Sequence, residues 1–184
     1  MVSILDPITK KQGDSMKSQS WYRNQIASLT DRITAGNLLR SGRLLNRPSA
    51  GRLSMFIYDP KTKDKLPYYD MFPLVLPLDV IPGGFIGVNF HYLPPALRLR
   101  FLESLQAYAS SKIINKRTRL DVSYDQLKKN KYTKPTIKKY LYKQARSNFL
   151  RIDANESAIA VMLPVAQFAK ESVRRVYTDS RGML

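Results

Sequence analysis

Residues 72–93 read FPLVLPLDVIPGGFIGVNFHYL, two apolar runs joined by a proline and two glycines. Pro82-Gly83-Gly84 marks a tight turn, because glycine adopts positive φ at no steric cost. The flanking runs, 72–80 and 84–93, therefore read as the arms of an antiparallel hairpin. Pro73 and Pro77 cannot donate to a strand ladder, which predicts an edge or bulged position for the first arm. Upstream, LSMFIYDP (residues 53–60) reads as a further strand with Leu53, Met55 and Ile57 opposite Ser54, Phe56 and Tyr58. Both faces are mostly apolar, so both should be covered. A three-stranded antiparallel meander follows.

Downstream the apolar period changes to a helical one. Pro94-Pro95 sets up a first turn, after which Leu97, Phe101, Leu105 and Tyr108 recur at helical spacing. Ser123 is read as the cap of a short helix over YDQLKKN. Thr133 and Pro135 open another, with Ile137, Leu141 and Ala145 on one face and Lys139, Lys143 and Arg146 opposite. Asp153-Ala154-Asn155-Glu156 is a capping-box pattern leading into SAIAVML, and Pro164 ends that helix. A last amphipathic stretch carries Phe168, Val173, Val176 and Tyr177. These elements predict an α+β fold over residues 53–184, a small twisted antiparallel β-sheet with helices packed on it.

Residues 1–52 read as an extended basic N-terminal arm. Its leucines come in pairs between Gly36, Gly42 and Gly51, and its only predicted helix runs from a Ser20 cap to Leu29. That helix would place Trp21, Gln25, Ser28 and Leu29 on one side. Fixing such a segment costs about 1–2 kcal/mol of backbone entropy per residue. Its order is therefore expected to come from neighbouring subunits. Trp21, Tyr22, Leu38, Leu39, Leu44 and Leu45 are the expected anchors of that protein interface, with Arg40, Arg43 and Arg47 at its rim.

Thirty-one Lys and Arg against fourteen Asp and Glu give a net charge of +17, which favours a polyanion or an acidic protein as partner. The charge is uneven: +6 over residues 1–54, −1 over 55–97, +12 over 98–151 and zero over 152–184. Apolar runs are interrupted by Pro73, Pro77 and Pro82, so no membrane span is expected. The opening MVSILDPITKK lacks the apolar core of a secretory signal. The absence of cysteine excludes disulfides, thiolate catalysis and iron–sulfur clusters.

Catalytic patterns are sparse. His91 is the only histidine, which excludes two-histidine metal motifs, and a structural role is expected for it. No G-x-S-x-G elbow, Walker A loop or G-x-G-x-x-G fingerprint occurs. Asp59, Asp64 and Asp70 interleave with Lys61, Lys63 and Lys65, residue types that a metal-dependent nuclease needs, but at the spacing of a solvated strand connection. Gly84-Phe85-Ile86-Gly87 has the G-x-x-G spacing of an RNA clamp, yet its middle residues are apolar and enter a strand. No cofactor or metal is implied. The feature with binding chemistry is the run Lys128, Lys129, Lys131, Lys134, Lys138, Lys139, Lys143, Arg146 and Arg151, interleaved with Tyr132, Tyr140 and Tyr142. Lysines neutralise phosphates and tyrosine rings stack on bases. The same run also suits an acidic protein neighbour or a solvated face.

Four segments carry a resemblance: Met55-Phe56-Ile57-Tyr58-Asp59-Pro60-Lys61; Leu66-Pro67-Tyr68-Tyr69-Asp70-Met71-Phe72-Pro73-Leu74; Gly84 to Pro94, GFIGVNFHYLP; and the later Asn148-Phe149-Leu150. Over roughly residues 50–184 the chain resembles a family of structural virion proteins from tailed phages with contractile, T-even-like virions. The resemblance implies a virion component of neck, tail or baseplate, or a DNA-end-associated protein, and transfers no catalytic residue. The expectation is a non-enzymatic adaptor that joins other phage structural proteins in a symmetric multi-copy assembly through its arm. The alternative is a protein that holds or protects packaged DNA ends through its basic helices.

Overall fold

The computed structural model describes residues 3–110 and 124–184. Its centre is the predicted hairpin, β4 (Leu74–Ile81) and β5 (Gly84–Asn89), closed through Gly83 at φ 74°. Four more strands extend it: β1 (Arg43–Leu45), β2 (Ser54–Met55), β6 (Ile137–Leu141) and β7 (Phe149–Arg151). The antiparallel order is β1-β7-β2-β4-β5-β6. The expected meander is present as β2-β4-β5, and the fold is α+β as predicted. A second sheet pairs β3 (Tyr69–Asp70) with β8 (Phe168–Ala169). β4 is an interior strand; Pro73 precedes it, and Pro77 is accommodated by a register shift between Pro77 and Asp79.

Strand alternation divides the core. Met55, Leu74, Leu76 and Val88 join the main apolar cluster. Phe56, Val75, Phe85, Tyr140 and Phe149 form an aromatic cluster of their own. In that cluster the Phe56 ring lies 5.4 Å from Tyr140 and 4.7 Å from Phe149. The main cluster is filled by α4 (Pro95–Ser110), through Leu99, Phe101, Leu102 and Leu105, and by the wholly buried α7 (Ser157–Met162). The Asp153–Glu156 capping box forms as predicted, and α7 ends before Pro164. Arg98, fully buried on α4, donates from Nε to the Leu93 carbonyl (2.6 Å) and from one terminal nitrogen to Val161 (3.2 Å) and Leu163 (3.4 Å). Its other terminal nitrogen meets the Tyr177 hydroxyl on α8 (Val173–Gly182). A cation at the C-terminal end of α7 complements the carbonyls that end leaves without helical partners. The Tyr108 side chain and Ser123 lie outside the described residues.

Two expectations are corrected. Residues 133–146 do not form one helix: a single turn, α6 (Thr133–Thr136), passes directly into β6. A spacing of four is even, so Ile137 and Leu141 share a face in a strand as well as in a helix, and pairing with β5 decides between them. Gly84 allows the close approach, since a Cβ there would lie 2.0 Å from the Tyr140 carbonyl oxygen.

The segment 1–52 is not an extended arm. It folds as α1 (Asp6–Gln12), α2 (Gln19–Ala27) and α3 (Ala35–Ser41) before adding β1 to the sheet. Ser18, not Ser20, caps α2. Tyr22 and Ile26 face inward there, with Trp21 and Leu29 packed beside them. Leu5, Ile8, Tyr22, Ile26, Ile33 and Leu38 all belong to the main core. Their i, i+3 and i, i+4 spacing was masked by the intervening polar and glycine residues. Deleting residues 1–50 should therefore remove the cooperative thermal transition seen by circular dichroism in the full chain. A truncated protein that melts cooperatively would show that the segment is an accessory.

Candidate nucleic-acid interface

Between β6 and the loop 58–70 lies a cleft of about 530 Å³, within the range of small-molecule sites. Tyr58, Tyr92 and Tyr140 are buried in its floor, and the half-buried Tyr68 and Tyr69 form one wall. Lys61, Lys138 and Lys139 supply positive charge around it, and Met183 reaches it from the C-terminus.

The floor is fixed by the carboxylate of Asp70, which is buried at the end of β3. Asp70 Oδ1 accepts from the Phe72 amide (3.0 Å); Oδ2 accepts from Asn89 Nδ2 (2.9 Å) and His91 Nδ1 (3.0 Å). Asn89 Nδ2 also donates to the Tyr140 hydroxyl (3.0 Å), and the Tyr58 hydroxyl accepts from the Leu141 amide (3.1 Å). These bonds tie three strands to the ring positions of the floor. Burial raises the phenol pKa values of Tyr58, Tyr92 and Tyr140 above 10, so the rings stay neutral.

Lys138 has a different role. Its ammonium stands 4.1 Å over the Tyr92 ring, and no carboxylate of the described residues lies within ion-pair distance. Burial depresses its pKa below 10.5. A partly desolvated ammonium without a counter-ion gains more from an incoming anion than a solvated one does.

The sequence-predicted cations do not form one patch. Lys138 and Lys139 lie at the cleft on β6. Lys128, on α5 (Tyr124–Lys128), faces Asp125 at 3.8 Å, and Lys129 is exposed beside it. Lys131 stands 5.1 Å from the Tyr132 ring, and Lys134 is exposed on α6. Lys143 is exposed in the turn after β6, and Arg146 pairs with Asp59 at 3.5 Å. Arg151 lies on β7, separated from β6 by three strands, and bonds Asp153 at 2.7 Å.

The expected protein anchors separate likewise. Tyr22 and Leu38 are 0% and 2% exposed, and Trp21 and Leu39 are half-buried against the core, so all four serve the fold. Leu44 and Leu45 remain exposed on the edge strand β1. Beside them, Arg43 pairs with Asp153, Arg40 bonds Asn37 and Arg47 covers the Tyr142 ring at 4.4 Å. Sequence reasoning missed Tyr58, Tyr68, Tyr69 and Tyr92 as site residues. The adjacent Tyr68-Tyr69 pair in a polar connection was the available signal.

Among the described residues no three His, Asp or Glu groups gather to hold a metal; Asp59 pairs with Lys63 and Arg146, while Asp70 is buried against Asn89 and His91. No helix among the described residues is long and apolar enough to cross a membrane.

A strongly basic α+β body with a cleft of tyrosines and lysines is a class suited to a phosphate-bearing aromatic ligand. Residues 6–181 match the family model of the Phage T4 terminal DNA protecting protein, and the chain belongs to that family. The T-even-like phage resemblance is thereby established. The family description fits the DNA-end reading better than the neck, tail or baseplate adaptor expected from the arm. No curated protein and no solved structure matches the chain.

His91 is fully buried, and desolvation lowers its pKa below 6.5 although Asp70 pulls the other way. The unfolded chain therefore binds the proton more readily, and stability is complete above about pH 6.5 and declines as pH falls below it. Glu156, whose pKa burial raises above 4.5, acts with the opposite sign at lower pH. Urea titrations from pH 7.5 to 5.5 should show stability falling with acid at up to about 1.4 kcal/mol per pH unit. His91→Gln should flatten that slope; a slope retained in the variant would assign it to other groups.

Proposed function

We propose that this protein binds the ends of packaged phage DNA in the virion and shields them from exonucleases, without a reaction of its own. Occupancy alone suffices, since an exonuclease must thread a free end into its site. The family supports the DNA terminus as target, and the net charge of +17 supports non-specific phosphate attraction. The observation that carries the reading is the cleft itself, where Lys138 stands beside tyrosine rings with no carboxylate partner among the described residues. Phosphate contacts position a protein without specifying sequence, so one protein serves ends of any sequence. The exposed Leu44 and Leu45 on β1 favour an additional protein neighbour in the particle, which keeps an adaptor role as a second reading.

The test is digestion of linear duplex DNA by a processive exonuclease in the presence of the purified protein. Protection of the ends is expected, with binding that weakens steeply between 50 and 200 mM salt. Changing Lys61, Lys138 and Lys139 together to Gln should reduce the log–log salt slope by about 2–3, at about 0.9 per lost phosphate contact. Ends digested at the same rate with and without protein would contradict the reading. Binding unaffected by the triple change would move the contact to the lysines of 128–134.

A further inference from the structure

We infer that the cleft takes one unpaired nucleotide from the DNA terminus, its base against the tyrosines and its phosphate on Lys138 and Lys139, so that the free end itself is recognised. The inference rests on the DNA-end reading and adds how an end is told from duplex interior.

Size is the first consideration. A cleft of about 530 Å³ is of small-ligand dimensions and cannot enclose a double helix, whose major groove alone is about 12 Å wide. Only a nucleotide released from pairing can enter, and the terminal one is the least costly to release.

Charge placement is the second. Asp70 sits at the floor, with both carboxylate oxygens already accepting hydrogen bonds, so a phosphate driven to the floor would meet a like charge. The Lys138 ammonium, 4.1 Å over the Tyr92 ring, is where an anion is welcomed. A neutral base at the floor and a phosphate on β6 is the orientation that satisfies both.

The ring chemistry is the third. Tyr68 is half-buried, 6.2 Å from Tyr92 at an interplanar angle of 35° and edge-on to Phe168 at 6.1 Å. Its partners fix its orientation while part of its surface stays accessible. A base of any identity stacks on such a ring, which suits an end binder indifferent to sequence. Lys61, exposed in the cleft lining, adds a polar contact without a fixed base pattern.

Fluorescence anisotropy on the full chain tests this with two DNAs of one sequence: an open duplex bearing a single unpaired terminal nucleotide, and a dumbbell whose ends are closed by hairpin loops. The open duplex should bind at least about 5-fold more tightly, as one stacked base contributes about 5- to 160-fold. Tyr68→Ala should abolish this preference, and Tyr68→Phe should retain it. With the unmodified protein, 2-aminopurine should change its fluorescence on binding when placed at the unpaired terminus and not when placed internally. Placing the unpaired nucleotide at the 5′ or the 3′ end distinguishes which strand enters. Equal affinity for open and closed DNA, or a preference that survives Tyr68→Ala, would overturn the inference while leaving end protection standing. Absence of binding to either DNA would overturn both.

Discussion

The carboxylate of Asp70 is the interaction on which the cleft depends. It is buried, accepts three hydrogen bonds from Phe72, Asn89 and His91, and through Asn89 reaches the hydroxyl of Tyr140 on β6. A buried carboxylate stripped of these donors would be strongly destabilising, so donors and acceptor hold one another in place. The small sheet β3–β8 is thereby joined to the large one, and Tyr58, Tyr92 and Tyr140 become a rigid floor. His91 serves the same network as a neutral donor to Asp70, which gives the single buried histidine a structural place.

Electrostatics then separates structure from binding. Arg98, Arg146 and Arg151 are engaged by carbonyls, Asp59 and Asp153. Lys138 and Lys139, on the edge strand of the sheet, have no such ion-pair partners among the described residues. An edge strand carrying lysines also resists pairing with a second chain, since charged side chains are a common protection of open sheet edges. The other edge, β1, carries Leu44 and Leu45 between Arg43 and Arg47, and is the more suitable surface for a protein contact.

The hairpin and its turn at 82–84, the Asp153–Glu156 cap and the stop at Pro164 were legible because each depends on local chemistry, whereas the strand read over 53–60 keeps only Ser54–Met55, with Ile57 exposed, and Phe90–Tyr92 turn away from β5. The strand β6 was not legible, since Ile137 and Leu141 are compatible with either period and only pairing to β5 selects one. Residues 1–52 misled for a related reason. Leu5, Ile8, Tyr22, Ile26 and Leu38 are too few per turn to announce a core, and only the surface offered by α4 and α7 makes them one. The cleft was half legible: its lysines stood out as charge, whereas its tyrosines come from four separate segments that tertiary structure brings together. The family match directs attention to DNA ends, which charge alone could not distinguish from an acidic protein surface.

Photo-crosslinking tests the central claim, a cleft occupied by the DNA terminus, most directly. 5-Iododeoxyuridine is placed either at the terminal nucleotide or ten base pairs inside the duplex, and adducts on the full-length protein are mapped by mass spectrometry. The account predicts that the terminal probe reacts at Tyr68, Tyr69 or Tyr92 and that the internal probe does not. Terminal adducts confined to Tyr132 or Tyr142, or equal labelling of the cleft by both probes, would contradict it.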